Sequence, residues 1–323
     1  MTPEIFAEWL KRQGRHVVRT ASTWWYDQGP RCYQAFPYHW LIHPTEEELA
    51  QFIRQTRALS VRYSTSMDAP VGRMSYHMVY ERSSYDFEDL GKRTRKNVRR
   101  GLKSCCVEPI GMDRLADEGW PLHHDTLDRQ GRSAPSRRDW QSLCLTAADL
   151  PGVEAWGALV SDRLAASIIA IRLDDYYCIL HQQCLREYLA VNVNNALAFT
   201  FTQHMLGQSG IRSIFYGLHS LDANPALDQF KLHMGYTAKP VRQRVVFNPW
   251  CAPLVNRVTH RALAALVRLR PSSRTLAKGE GMMRFYLEGK QPIDQQSVPA
   301  ILAASQQEQE QPLFPESSAH LHP

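Results

Sequence analysis

Three apolar runs of strand length, Val153–Val160, Leu164–Leu173 and Tyr176–Leu185, follow one another with only Ser161-Asp162-Arg163 and Asp174-Asp175 between them. Connections this short cannot hold a crossover helix, so the runs are expected to pair as an antiparallel meander. A chain committed to that meander must be organised around a sheet.

The pattern on either side extends it. Cys105–Ile110 reads as a strand, and Asp113–Arg129 and Arg137–Leu150 read as two helices separated by the polar loop Gly131–Ser136. After the meander a helix is expected over Asn195–Gln208, with Gly210 as its left-handed terminator. Ile211–Tyr216 is the next strand. Asn224-Pro225 opens a further helix, as an N-cap followed by proline in the first turn. Leu227, Phe230 and Met234 form its inner face, Gly235 ends it, and Val241–Phe247 is the last strand. Residues 105–248 thus read β-α-α-β-β-β-α-β-α-β.

The segment before residue 84 is mixed. It offers a helix at Glu4–Gln13 and extended aromatic stretches at Trp24–Tyr26 and Tyr33–Trp40. A capping box over Thr45–Glu48 leads into a helix that buries Leu49, Phe52 and Ile53. Strand-like runs follow at Leu59–Ser64 and Ser75–Glu81. The chain divides into residues 1–83, 84–250, a basic helical extension 251–290 and a tail 291–323. That tail is rich in Gln, Ser and Pro and is expected to be disordered.

Charge is concentrated. Residues 91–103, GKRTRKNVRRGLK, hold seven Lys or Arg, no acid, and the whole net excess of +6. Leu90, Thr94, Val98 and Leu102 give this helix one narrow buried stripe. Its wet face is either a plain solvated surface or a contact for an anionic substrate such as coenzyme phosphates or a tRNA backbone. No helix-turn-helix, zinc-finger or RNP pattern accompanies it. A second basic amphipathic helix, Leu254–Arg270, is a candidate peripheral membrane contact. The longest apolar run, Leu164–Ile171, is too short to span a bilayer. Seven cysteines with no CxxC spacing argue for buried thiols and a cytoplasmic location. His124 and Asp128 share a helical face but lack a third ligand, so no metal is expected.

The element order, with NNALAFTFTQHMLGQSGIRSIFYGLHSL and LDQFKLHMGY, resembles the GNAT acyltransferase superfamily, and within it the FemAB-type branch. The most specific part is Phe230-Lys231 followed by Met234-Gly235. The resemblance implies an α/β (α+β) fold, a mixed, mostly antiparallel sheet flanked by helices. Residues 1–83 would be a shortened partner subdomain.

It also implies N-acyl transfer from acyl-CoA or aminoacyl-tRNA to an amine, on a small molecule or a cell-envelope precursor. Lys231 would stabilise the oxyanion, or else merely cover Phe230. His181 and His219 are candidate bases, and Tyr216 is a candidate proton donor to the leaving group. Arg186, Val193, Asn194 and Asn195 would hold the donor phosphates. The family's glycine positions carry Leu189 and Val191, and side chains there obstruct close approach of a pyrophosphate, which leans away from CoA. Phe230 and Arg129 would border the acceptor, Arg129 either binding an anionic group or pairing with Asp125 one turn back. The competing readings are an inactive GNAT-like scaffold and a nonspecific binder of nucleic acid or membrane.

Overall fold

The computed structural model describes residues 2–221, 225–270 and 273–304. Along the first part run α1 (Pro3–Arg12), β1 (Val17–Arg19), β2 (Trp24–Gly29), β3 (Cys32–Phe36), α2 (Glu46–Thr56), β4 (Ser60–Thr65) and β5 (Arg73–Tyr80). Next come α3 (Lys92–Ser104), β6 (Cys106–Ile110), α4 (Met112–Glu118), α5 (Trp120–Arg129) and α6 (Arg137–Leu145). The meander is β7 (Val153–Val160), β8 (Arg163–Leu173) and β9 (Tyr176–Cys184). Then follow α7 (Val193–Leu206), β10 (Ser213–Leu218), α8 (Pro225–His233), β11 (Thr237–Phe247), α9 (Arg257–Leu269) and α10 (Arg274–Glu288).

All eleven strands form one sheet in the order β1-β2-β3-β4-β11-β5-β10-β9-β8-β7-β6. Only β3–β4 and β9–β10 are parallel. The meander forms as expected: Ser161 and Asp162 both take positive φ, the geometry a two-residue hairpin turn requires. The last strand, β11, inserts between β4 and β5, so the sheet runs without a break across residue 83. One face of the sheet is covered by α3 and α7 through Val98, Leu197 and Phe201. The other carries α1 and α4–α6 through Trp9, Leu115 and Trp140.

Four local expectations need correction. Asp113–Arg129 is two helices, broken at Gly119. A Cβ there would lie 2.5 Å from the Leu115 carbonyl oxygen, and Pro121 in the first turn of α5 has no N–H to continue the ladder. In α3, Leu102 is exposed and Gly101 is buried instead, because α3 crosses α7 there and a Cβ would come 2.4 Å from the Asn192 carbonyl oxygen. Thr45 does cap α2 by accepting from the Glu48 N–H. The Glu48 carboxylate, however, accepts from the Ser22 N–H and hydroxyl rather than closing a capping box.

The expected disordered tail is ordered over residues 291–304. Gln296 donates to the Gly72 carbonyl and accepts from the Met74 N–H, while Leu302 is buried in the main core. The amide bonds the start of β5, which extends beyond its pairing with β10, and this contact holds the segment in place despite its polar composition. The remainder of that tail, the Asn224 cap and the Leu227 side chain lie outside the described residues.

Candidate active site

The site is a defect in the sheet. β9 and β10 pair only where Ser213–Phe215 meet Tyr176–Cys178, and beyond that the two strands diverge. Both are irregular where they part. Leu180 drops out of the ladder with β8, and Tyr216 drops out of the ladder with β5. Bulges of this kind end pairing and re-aim side chains. The result is a cleft of about 340 Å³ between the strands, floored by Gln182 and Tyr216 and roofed by Phe230 and Lys231 of α8.

Lys231 sits at its mouth. Its Nζ lies 2.8 Å from Asp228 Oδ1 and 5.1 Å from the centre of the Tyr216 ring. Asp228 in turn accepts from the Tyr76 hydroxyl at 2.6 Å. Lys231 is therefore held in an ion pair, not free as a snorkelling surface lysine would be, and its side chain is only 17% exposed. Gly217 lies beside it at φ 133°, a backbone conformation that favours glycine, and a Cβ there would make only an ordinary 3.7 Å contact with Nζ. Phe230 is half-buried and lines this cleft as well as a neighbouring groove, so it is not the core residue its spacing suggested.

Tyr216 donates to Gln182 Oε1, and Gln182 donates to Asn194 Oδ1 at 2.7 Å, tying β10, β9 and α7 across the splay. Burial, reinforced by Tyr236 and Tyr85, pushes the Tyr216 hydroxyl well above the usual phenol range. It therefore stays protonated and acts as a hydrogen-bond donor.

The histidines lie elsewhere. His181, adjacent to Gln182, points to the opposite face of the sheet, 6.0 Å from His123 and 6.3 Å from Trp140 between ring centroids. Burial lowers it to about 4. His219 stacks on Tyr76 at 4.5 Å and meets Ser75 Oγ at 3.1 Å, on the far side of α8. There it lines a larger cleft of about 960 Å³ with Tyr76, Asp228, Arg73 and Arg284. Burial first, then Arg73 and Arg62, lower His219 to about 3, so neither ring is poised as a base near neutral pH.

The expected phosphate cradle is also altered. Arg186 is turned away onto Asp125 and Asp128 of α5. Val193 is fully buried, and the Asn195 N–H is spent on the Asn192 carbonyl. Asn194 faces Gln182. Arg129 lines the cleft, but its guanidinium donates to the Cys184 carbonyl at 2.5 Å and to Thr126 Oγ1 at 3.1 Å. Its ion-pair contact with Asp125 is longer, at 3.7 Å.

Beside the cleft, exposed positive charge lies on α3. Its first turn, Gly91–Thr94, joins Asn97, Asn195, Phe230 and His233 around a groove of about 750 Å³ next to the Lys231 cleft. Lys92, Arg93, Lys96, Arg99, Arg100 and Lys103 are exposed, and none is in an ion pair among the described residues. Asp228, Tyr76 and Gln182 join the site with no motif in the sequence to mark them. Asp228 alone left a trace, three residues before Lys231 and so on the same helical face.

The fold recurs in solved structures. The chain is similar to the crystal structure of FemX, with a TM-score of 0.54 at 10% identity, covering 77% of this chain and 92% of that one. The fold is that of the GNAT and FemAB-type proteins. The chain is also similar to the C-terminal domain of a putative lysylphosphatidylglycerol synthetase from Agrobacterium fabrum. There the TM-score is 0.52 at 14% identity, over 77% and 89% of the two chains. L-PGS from Bacillus licheniformis gives 0.51 at 8% identity, over 85% and 97%. No family model matches the sequence, and no curated protein is similar to it in sequence. Among the described residues no helix is long and apolar enough to cross a membrane, and no cluster of side chains is suited to a metal.

Proposed function

We propose that this FemAB-type chain is an N-acyltransferase that takes an aminoacyl group from tRNA and passes it to an amine. The observation that carries the reading is Lys231, held by Asp228 over Tyr216 at the mouth of the β9–β10 cleft. When an amine attacks the donor carbonyl, negative charge grows on the carbonyl oxygen. A lysine already fixed in place stabilises that charge without reorganising. Asp228 borders the larger cleft while Lys231 borders the smaller, so the pair separates two openings. Donor and acceptor would meet across it, with Asp228 the carboxylate positioned to take the ammonium proton. Tyr216 would hold a proton near the leaving oxygen.

Two features favour tRNA over acyl-CoA as donor. The start of α7 lacks glycines, its Asn195 N–H is bonded to the Asn192 carbonyl and the Asn194 side chain to Gln182, which disfavours a pyrophosphate there. The unpaired cations of α3 flank the groove that continues from the cleft past Phe230, which suits a long polyanion. The name of one structural neighbour, a putative lysylphosphatidylglycerol synthetase, places an aminoacyl group in its product and so is consistent with an aminoacyl donor.

The test is a transfer assay with charged tRNA and acyl-CoAs, run on the wild type and on Lys231→Ala. Transfer from tRNA that drops on the order of a hundredfold in the variant, with donor affinity kept, supports the reading. Full activity in Lys231→Ala removes it.

A further inference from the structure

We propose that the outer face of α9, continued by Trp250 and Leu254, docks on an anionic lipid bilayer. The helix meets the body through α10 alone in its closest contacts: His260 Nε2 lies 2.8 Å from Glu280 Oε1, and Leu263 faces Gly279. The side turned away from α10 should then be polar. It is apolar instead. Val258, Ala262, Ala265 and Leu269 recur at helical spacing as one stripe, and all four are exposed. Val258 and Leu269 are 74% and 78% exposed, and Trp250 and Leu254, just ahead of the helix, are 90% and 68% exposed. Among the described residues nothing covers this stripe.

Charge selects the occupant. Arg257, Arg261 and Arg268 run along one edge of the stripe, and the sequence has no acidic residue between Asp228 and Glu280. A helix with an apolar stripe, an arginine edge and an exposed tryptophan fits the interface of an anionic bilayer. There the stripe enters the acyl boundary, the arginines meet headgroup phosphates, and the indole sits at headgroup level. A nucleic acid would use the arginines but leave the apolar stripe in water. A second copy would bury the stripe, yet it brings no acidic residue from this region to meet the arginines.

The experiment is co-sedimentation of the full chain with phosphatidylcholine vesicles, with and without phosphatidylglycerol. Binding is expected to the phosphatidylglycerol vesicles only, and to weaken with added salt. The double variant Val258→Ser/Leu269→Ser, whose sites are exposed, should melt like the wild type and partition at least about tenfold less. Arg261→Gln/Arg268→Gln should also bind more weakly. The proposal is overturned if the full chain ignores both vesicle types, or if the serine variant binds as well as the wild type. It is equally overturned if the chain is a dimer that the serine variant dissolves, placing a second copy on the stripe.

Discussion

Lys231 was legible from the sequence as a Phe-Lys pair ahead of a helix-ending glycine, but its environment was not. Periodicity placed it beside an apolar face with its charge free, whereas Asp228 holds it and is itself held by Tyr76, from a strand about 150 residues earlier. No local pattern carries that contact. The consequence is a stability cost. Lys231→Ala leaves Asp228, itself only 11% exposed, with one partner, and should destabilise by about 1–3 kcal/mol. Asp228→Asn keeps a hydrogen bond to Tyr76 and should lose transfer activity more than stability. Urea unfolding beside the transfer assay separates the two effects. Phe230→Ala, at a half-buried position lining two clefts, should cost less than the 3–5 kcal/mol of a core phenylalanine. A loss in that upper range would return Phe230 to the core.

Elements were easier to foresee than their defects. The meander, the basic helix and the helix carrying Phe-Lys all follow from period and turn chemistry. The bulges at Leu180 and Tyr216 do not, because each depends on how a strand registers against a distant neighbour. The site is built from those bulges. The same holds for α3, whose stripe ended at Gly101 rather than Leu102 once α7 had to pass. Gly101→Ala forces a methyl group against the Asn192 carbonyl and Ala196, so it should destabilise by about 1–3 kcal/mol despite the better helix propensity of alanine. If the variant is as stable as the wild type, the two helices do not cross this closely. Replacing Lys92, Arg93 and Lys96 by Gln should weaken tRNA binding and flatten its dependence on salt, with no change in melting temperature.

At the scale of the whole molecule, sequence order hid two joins. Strand β11 returns to lie between β4 and β5, and residues 291–304 fold back onto Gly72, Met74 and the main core. Truncation after Lys290 should therefore lower the melting temperature by several degrees. Acid should unfold the chain early as well. His77 and His123 are buried and depressed by that burial to about 3 and about 4, while an unfolded histidine titrates near ~6.5. Above that value both states are neutral and the stability is fully present. As pH falls below it the unfolded chain binds protons that the folded one refuses. Each ring then removes about 1.4 kcal/mol per pH unit until its folded value is reached. Urea midpoints at pH 7, 6 and 5 should show the decline, and a flat profile would contradict the burial of these rings. The most direct test of the central claim is a melting-temperature comparison of the intact protein with aminoacyl-tRNA, uncharged tRNA and acyl-CoA. Charged tRNA should stabilise most, uncharged tRNA less, and acyl-CoA not at all. Stabilisation by acyl-CoA with none from charged tRNA, or equal stabilisation by charged and uncharged tRNA, would contradict an aminoacyl group seated beside Lys231.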